Sequence, residues 1–193
     1  MALHPAENRG YRELYLTGRQ TAKRLERVAA AFASDQVRDP LAKAADALER
    51  MLSELAPLTA RHDLHGEVAA EGAGATLGAA RGAVFDRFLE QNQAVRLAVD
   101  DLEHVATLLG YLANVSEARR DEKLPEFCRS WERRIRRHVS AVRKAANELG
   151  AAPDAAIQPL DPSPTGRAAH RMAWAVGTVG EWTDRQVARR RRG

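Results

Sequence analysis

The chain has 193 residues, with 30 Lys+Arg against 26 Asp+Glu, a formal net charge of +4, 45% hydrophobic residues and 5% aromatic residues. Its one cysteine excludes a disulfide within the chain, and no stretch of 18 apolar residues is present that could span a bilayer. The first residues lack the basic and apolar regions of a signal peptide. We therefore expect a cytoplasmic protein that forms a single domain over 1–193.

The composition is biased in two ways. Alanine, the best helix former, occurs 37 times. The basic residues are 26 arginines and only four lysines, and arginine binds phosphate and carboxylate groups bidentately. Because a GC-rich genome produces the same two biases, the arginine count alone does not indicate nucleic-acid binding.

Two helices joined by a short link are predicted at the start of the chain. The first covers 7–33, where apolar residues recur at the three- and four-residue spacing of one buried helix face. The second covers 40–56, because Asp39 followed by Pro40 is typical of a helix start and Pro57 predicts the end. We expect this pair to form an antiparallel hairpin.

The rest of the chain predicts three more helices. One of them is apolar over more than one face, which is typical of a helix at the centre of a bundle or against a second subunit. The predicted elements are a loop over 57–74, this broad helix over 75–114, a helix over 125–149, a proline-rich loop over 150–165, a helix over 166–190 and a basic tail over 189–193. No segment alternates long enough to form a strand. The sequence therefore predicts an all-α fold, a bundle of four to five long antiparallel helices without a β-sheet.

Polar residues that interrupt apolar helix faces could form a metal or enzyme site inside the bundle. Asp101 and His104 share a face at i, i+3 spacing, while His138, His170 and Glu181 lie on apolar faces of the two following helices. Carboxylates and imidazoles converge in this way in bundle metal sites. However, the chain contains no Glu-x-x-His, which the di-metal bundles carry twice. The other interpretation is that arginines satisfy these groups.

Other patterns give weaker signals. His62 and His65 have a usable ligand spacing, but no cysteine is near them and a solvated loop is the favoured interpretation. The glycines over 72–82 follow no predicted strand, so they favour close helix packing over a phosphate loop. Cys128 lies in an apolar stripe, where a thiol behaves as a small hydrophobe. We therefore predict no catalytic residue and no cofactor.

Arginines line the side of the 125–149 helix opposite its apolar stripe and recur at the end of the chain. Such a stripe could neutralise several phosphates of a nucleic acid. Glutamates interrupt it, and no aromatic residues alternate with the arginines as a single-strand platform requires, so a solvated helix face is the other interpretation. The residues are Arg129, Arg133, Arg136, Arg137, Arg143, Arg189, Arg190, Arg191 and Arg192.

Three functions follow from these patterns. The preferred hypothesis is a non-enzymatic interaction or scaffold protein, oligomeric, that binds a protein partner or its own copies through helix faces. It rests on the 75–114 helix, whose apolar face is wider than one surface helix needs. The alternatives are a basic nucleic-acid-associated subunit that uses the arginine stripe and tail, and a metal or enzyme site in the bundle core. No membrane partner is predicted.

Overall fold

The computed structural model describes residues 3–66 and 89–172. The elements in these ranges are α1 (Pro5–Ala30), α2 (Asp35–Ala60), α3 (Gln91–Ala118), α4 (Lys123–Leu149) and the short α5 (Pro153–Ala156), after which residues 164–172 are again helical. Their only β geometry is an isolated antiparallel bridge between Glu90 and Pro159. The predicted all-α helical bundle is confirmed.

The four long helices form a ring in which neighbouring helices are antiparallel. Both α1 and α4 pack against α2 and α3. Links of four residues make hairpins of α1 with α2 and of α3 with α4. Gly10 approaches Leu112 and Arg24 contacts Asp101, so α1 and α3 also run in opposite directions. Consequently α1 and α4 are diagonal and parallel to each other, and the same holds for α2 and α3.

The core is formed by one face of each long helix, as the apolar spacing predicts. The largest fully buried side chains are Tyr11, Leu14, Tyr15, Leu25, Leu41, Leu48, Met51, Leu55, Leu64, Leu102, Leu109 and Leu112. Helix α3 packs against α1, α4 and α5, so its wide apolar arc is buried within the chain over the described residues. The bundle itself accounts for that width.

Helix α2 is longer at both ends than predicted. It begins at Asp35, so Asp39 is not its N-cap and Pro40 lies within the helix; Pro57 does not end it. Each proline removes one backbone hydrogen bond. Burial of Val37 near one end and Thr59 near the other extends the core-facing side past both prolines and offsets that loss.

The helix predicted over 75–114 is wrong as one continuous element. Leu89 and Glu90 are not helical, and α3 begins only at Gln91 and continues to Ala118. The Leu89 carbonyl accepts a hydrogen bond from Leu160 N–H, and Gln91 N–H donates to the Gln158 carbonyl, both at 2.9 Å. These bonds divert the backbone from helical geometry at this point. Predicted helix residues 75–88 and loop residues 67–74 lie outside the described residues.

The second half of the bundle follows the prediction more closely. Helix α4 agrees with the predicted 125–149 to within two residues. The proline-rich loop predicted over 150–165 contains the short helix α5, because Pro153 is suited to the first turn of a helix. The last predicted helix is described only as far as residue 172, and the tail over 189–193 lies outside the described residues. Over 3–66 and 89–172, no helix is both long and apolar enough to cross a membrane.

Candidate functional site

Net charge alternates around the ring of helices. Helix α4 has eight basic side chains against three acidic ones, a net +5, and α1 has six against three, a net +3. Helix α2 has three basic against five acidic, a net −2, and α3 has one against four, a net −3. Each basic helix therefore lies between the two acidic ones. The charge of α4 alone exceeds the +4 of the whole chain.

The side of α4 that faces α3 carries paired arginines. Arg129 forms an ion pair with Glu117. Glu103 lies between two others, 2.8 Å from Arg143 and 3.5 Å from Arg136. All three arginine side chains remain about half exposed, so the pairs contribute little to stability. Their charge is compensated but still reachable from solvent.

On the side of α4 that faces α2, Trp131 connects the two helices. Its indole N–H donates to Glu54 Oε2 at 3.0 Å, and the Arg134 guanidinium lies 4.7 Å from the centre of its ring. Since α2 and α4 are antiparallel, Arg50, one turn before Glu54, lies beside the turns of α4 that follow Trp131. Arg137 belongs to those turns and is exposed.

His138 lies half-buried at this junction of α2 and α4. Burial, together with the positive charges of Arg137 and Arg50, lowers the pKa of its imidazole below the usual value. Within the described part of the chain, neither Arg50 nor Arg137 forms an ion pair. The junction therefore holds basic groups that repel one another.

The metal candidates among the described residues do not form one cluster. Asp101 is 2.9 Å from Arg24 of α1. His104 Nε2 is 3.3 Å from Glu13 of α1, and the side chains of His104 and Glu13 are both about half exposed. His138 instead faces α2. Among residues 3–66 and 89–172, no three His, Cys, Asp or Glu side chains are placed to hold a metal ion.

Of the last two metal candidates, His170 alone is among the described residues. His170 is half-buried in the helical residues 164–172, and its Nδ1 has no hydrogen-bond partner in the described chain. Glu181, like Arg189, Arg190, Arg191 and Arg192, lies outside the described residues. A site that includes Glu181 stays a prediction.

A buried polar network that the sequence analysis missed closes the end of the bundle where α1 begins. Glu7 is 0% exposed, and its Oε2 accepts a hydrogen bond from the His4 backbone N–H at 2.9 Å and lies 2.6 Å from Arg119 Nε. Glu7 Oε1 is buried without a hydrogen-bond partner among the described residues. The sequence signal was a capping box, with His4 in the place where serine or threonine is usual.

The same network extends to the start of α4. Arg119 also lies 3.0 Å from Asp121 Oδ2, and His62 Nε2 is 3.6 Å from that oxygen. The pKa of Asp121 is lowered, although burial alone would raise it. The lowering comes from hydrogen bonds donated by the backbone N–H groups of Leu124 and Lys123 and from the positive charges of Arg119 and His62. His62 thus serves the fold at this end.

Cys128 is fully buried, which confirms its predicted place in the core. Its sulfur is 3.6 Å from the Tyr11 hydroxyl, which shares a 2.9 Å hydrogen bond with Ser116. Burial raises the pKa of the Cys128 thiol to about 12. The thiolate needed for nucleophilic chemistry is therefore not formed at neutral pH.

Surface cavities lie on two sides of α1 in the described part of the chain. A groove of about 920 Å³ between α1 and α2 has Arg19, Lys23 and His65 among its lining residues. A smaller pocket of about 640 Å³ lies beside Tyr111 and Arg119. Ser53 also lines the groove, but no hydrogen bond joins it to His65 in the described part of the chain.

No family model, no curated protein and no solved structure matches this chain. Function is therefore inferred from surface chemistry.

Proposed function

We propose that the chain is a non-enzymatic binding protein and that its ligand is a nucleic acid held on the basic face of α4. The observation that supports this is the net +5 of α4, concentrated on one long, exposed side of the bundle. We define the basic face as Arg129, Arg133, Arg136, Arg137, Arg143 and Lys144.

The length of the basic face suits a polyanion. From Arg129 to Lys144 the helix rises about 22 Å at about 1.5 Å per residue. A duplex strand presents one phosphate about every 3.4 Å along its axis, so about six phosphates fit that length. The arginines paired with Glu103 and Glu117 keep exposed donors, and the guanidinium fork can reach phosphate without losing the carboxylate.

The earlier protein-partner hypothesis keeps less support. It rested on the wide apolar arc of the helix predicted over 75–114, and over Gln91–Ala118 that arc is buried against the chain's own helices. An oligomeric state stays a prediction, which light scattering after size exclusion can check. An acidic protein partner is the competing ligand for the same face.

Salt-dependent binding tests the proposal. We expect fluorescence anisotropy with a labelled 20-base-pair duplex to show an affinity that falls steeply as salt rises. Arg133→Gln with Arg137→Gln removes two phosphate contacts, so the slope of log affinity against log salt becomes shallower by about 1.8. The matched control, Arg38→Gln with Lys43→Gln, removes the same charge from exposed positions of α2 and leaves the slope unchanged.

Three results would contradict the proposal. One is the absence of binding to duplex and single strand at low salt. Another is an equal loss of duplex affinity in the α4 variant and the α2 control, which would mean that any positive charge on the surface contributes equally to binding. The third is binding to poly-L-glutamate as tight as to a duplex of equal charge, which would assign the face to an acidic protein. A variant with Gln at 189–192 measures separately what the predicted tail adds.

A further inference from the structure

The two sides of the basic face differ in how their charge is compensated. On the α3 side, Arg129 and Arg143 each lie against a glutamate of α3. On the α2 side, Arg137 has no acidic partner in the described chain, and neither has Arg50 across the junction. Glu54, one turn from Arg50, accepts the Trp131 N–H instead.

His138 completes a group of three basic side chains from two helices. It makes no hydrogen bond to a described residue, and it is half-buried, so water compensates it only in part. The positive charges of Arg50 and Arg137 both act on its imidazole. Arg134 lies one turn before His138 on α4, and Asp46 and Glu54 lie one turn to either side of Arg50 on α2. Trp131 contacts both Arg134 and Glu54, and Asp46 forms no ion pair in the described chain.

An anion at this point would remove an existing repulsion. Arginine donates two parallel hydrogen bonds to phosphate oxygens, and charge-assisted bonds of this kind are about twice as strong as neutral ones. An imidazole beside them can donate a third. A dianion also favours the protonated imidazole, which the two arginines alone disfavour.

We propose that Arg50, Arg137 and His138 form a discrete site for one phosphate group at the junction of α2 and α4. The site takes either a backbone phosphate of a nucleic acid or free phosphate, since both present the same oxygens. This site deepens the proposed function, and the assignment of its phosphate to a nucleic acid rests on that proposed function.

Histidine NMR of the full chain tests the site. We expect inorganic phosphate to raise the titration midpoint of His138 by about half a pH unit or more. Sulfate, a dianion that does not titrate in this range, has the same effect. His138→Gln assigns the resonance, and His104, which pairs with Glu13 away from this junction, is the internal control. Arg50→Gln raises the midpoint in phosphate-free buffer and abolishes the response to phosphate.

Two outcomes would overturn the site: a His138 midpoint that ignores phosphate and sulfate up to tens of millimolar, or a full response in Arg50→Gln. The duplex provides a separate readout. A phosphate response without duplex binding supports the site and removes only the proposed nucleic-acid function. If Arg50→Gln binds the duplex as well as the unsubstituted chain does, and His138 does not respond to phosphate, the phosphate site is excluded and the proposed nucleic-acid function is kept.

Discussion

Arg119→Met is expected to destabilise the bundle by about 3 kcal/mol, at the low end of what breaking a buried ion pair costs. The substitution keeps an unbranched side chain but leaves the Glu7 carboxylate, which is 0% exposed, without its cation. We take the low end because Glu7 Oε2 keeps the His4 N–H and because Arg119 is itself 13% exposed. For a chain of this length, the loss lowers the melting temperature by roughly 6–12 °C.

Urea denaturation followed by circular dichroism measures this cost. Glu7→Gln combined with Arg119→Met removes both charges and keeps an acceptor for His4 N–H, so we expect it to recover the part of the loss that comes from the buried Glu7 carboxylate. The part that comes from the Arg119–Asp121 pair remains. Arg129→Met breaks the exposed pair with Glu117 and should cost less than about 1 kcal/mol. If Arg119→Met costs no more than this control, or if the double variant is no better than the single one, the carboxylate is not held as described.

Further predictions concern the core, the thiol and the imidazole. Leu109→Ala should cost about 2–5 kcal/mol by denaturation, because Leu109 is fully buried. Cys128 should react with a thiol reagent at pH 8 only as fast as the protein unfolds, and rapid labelling of the native protein would contradict its burial. In phosphate-free buffer, the lowered pKa of His138 means that the folded chain binds fewer protons than the unfolded one. The free energy of unfolding should therefore fall as pH drops below about 6.5, and the fall should be smaller in His138→Gln. Gly66→Ala would place a methyl group 2.2 Å from the Tyr15 ring and should cost about 1–3 kcal/mol.

Sequence periodicity predicted the helices well wherever burial follows the spacing of one helix face. Helix α4 agrees with its prediction because its apolar stripe and its first-turn proline indicate the same element. The prediction for the ends of α2 was wrong because burial of Val37 and Thr59, which depends on tertiary contacts, outweighs the effect of the two prolines. The break at Glu90 was missed for the same reason, since its cause is a backbone pairing with residues about 70 positions later.

The candidate site was only partly predictable. The arginine stripe of α4 follows from helical spacing, but its division into a paired and an unpaired side depends on which helix lies on each flank. Arg50 could not be associated with His138 from the sequence, because 88 positions separate them and only the antiparallel packing of α2 and α4 brings them close. Glu7 looked like an ordinary first-turn acid, since only the fold reveals its burial.

The alternating charge of the ring has a consequence for how one topology is selected among its competitors. An arrangement that placed α1 beside α4 would set +3 against +5 along two neighbouring helices, and like-charge contacts of this kind are penalised. The mirror-image ring, by contrast, keeps the same neighbours, so the charge pattern does not distinguish the two hands. Handedness must then come from side-chain fit in the core and from the links. Salt should weaken the first form of selection and leave the second intact.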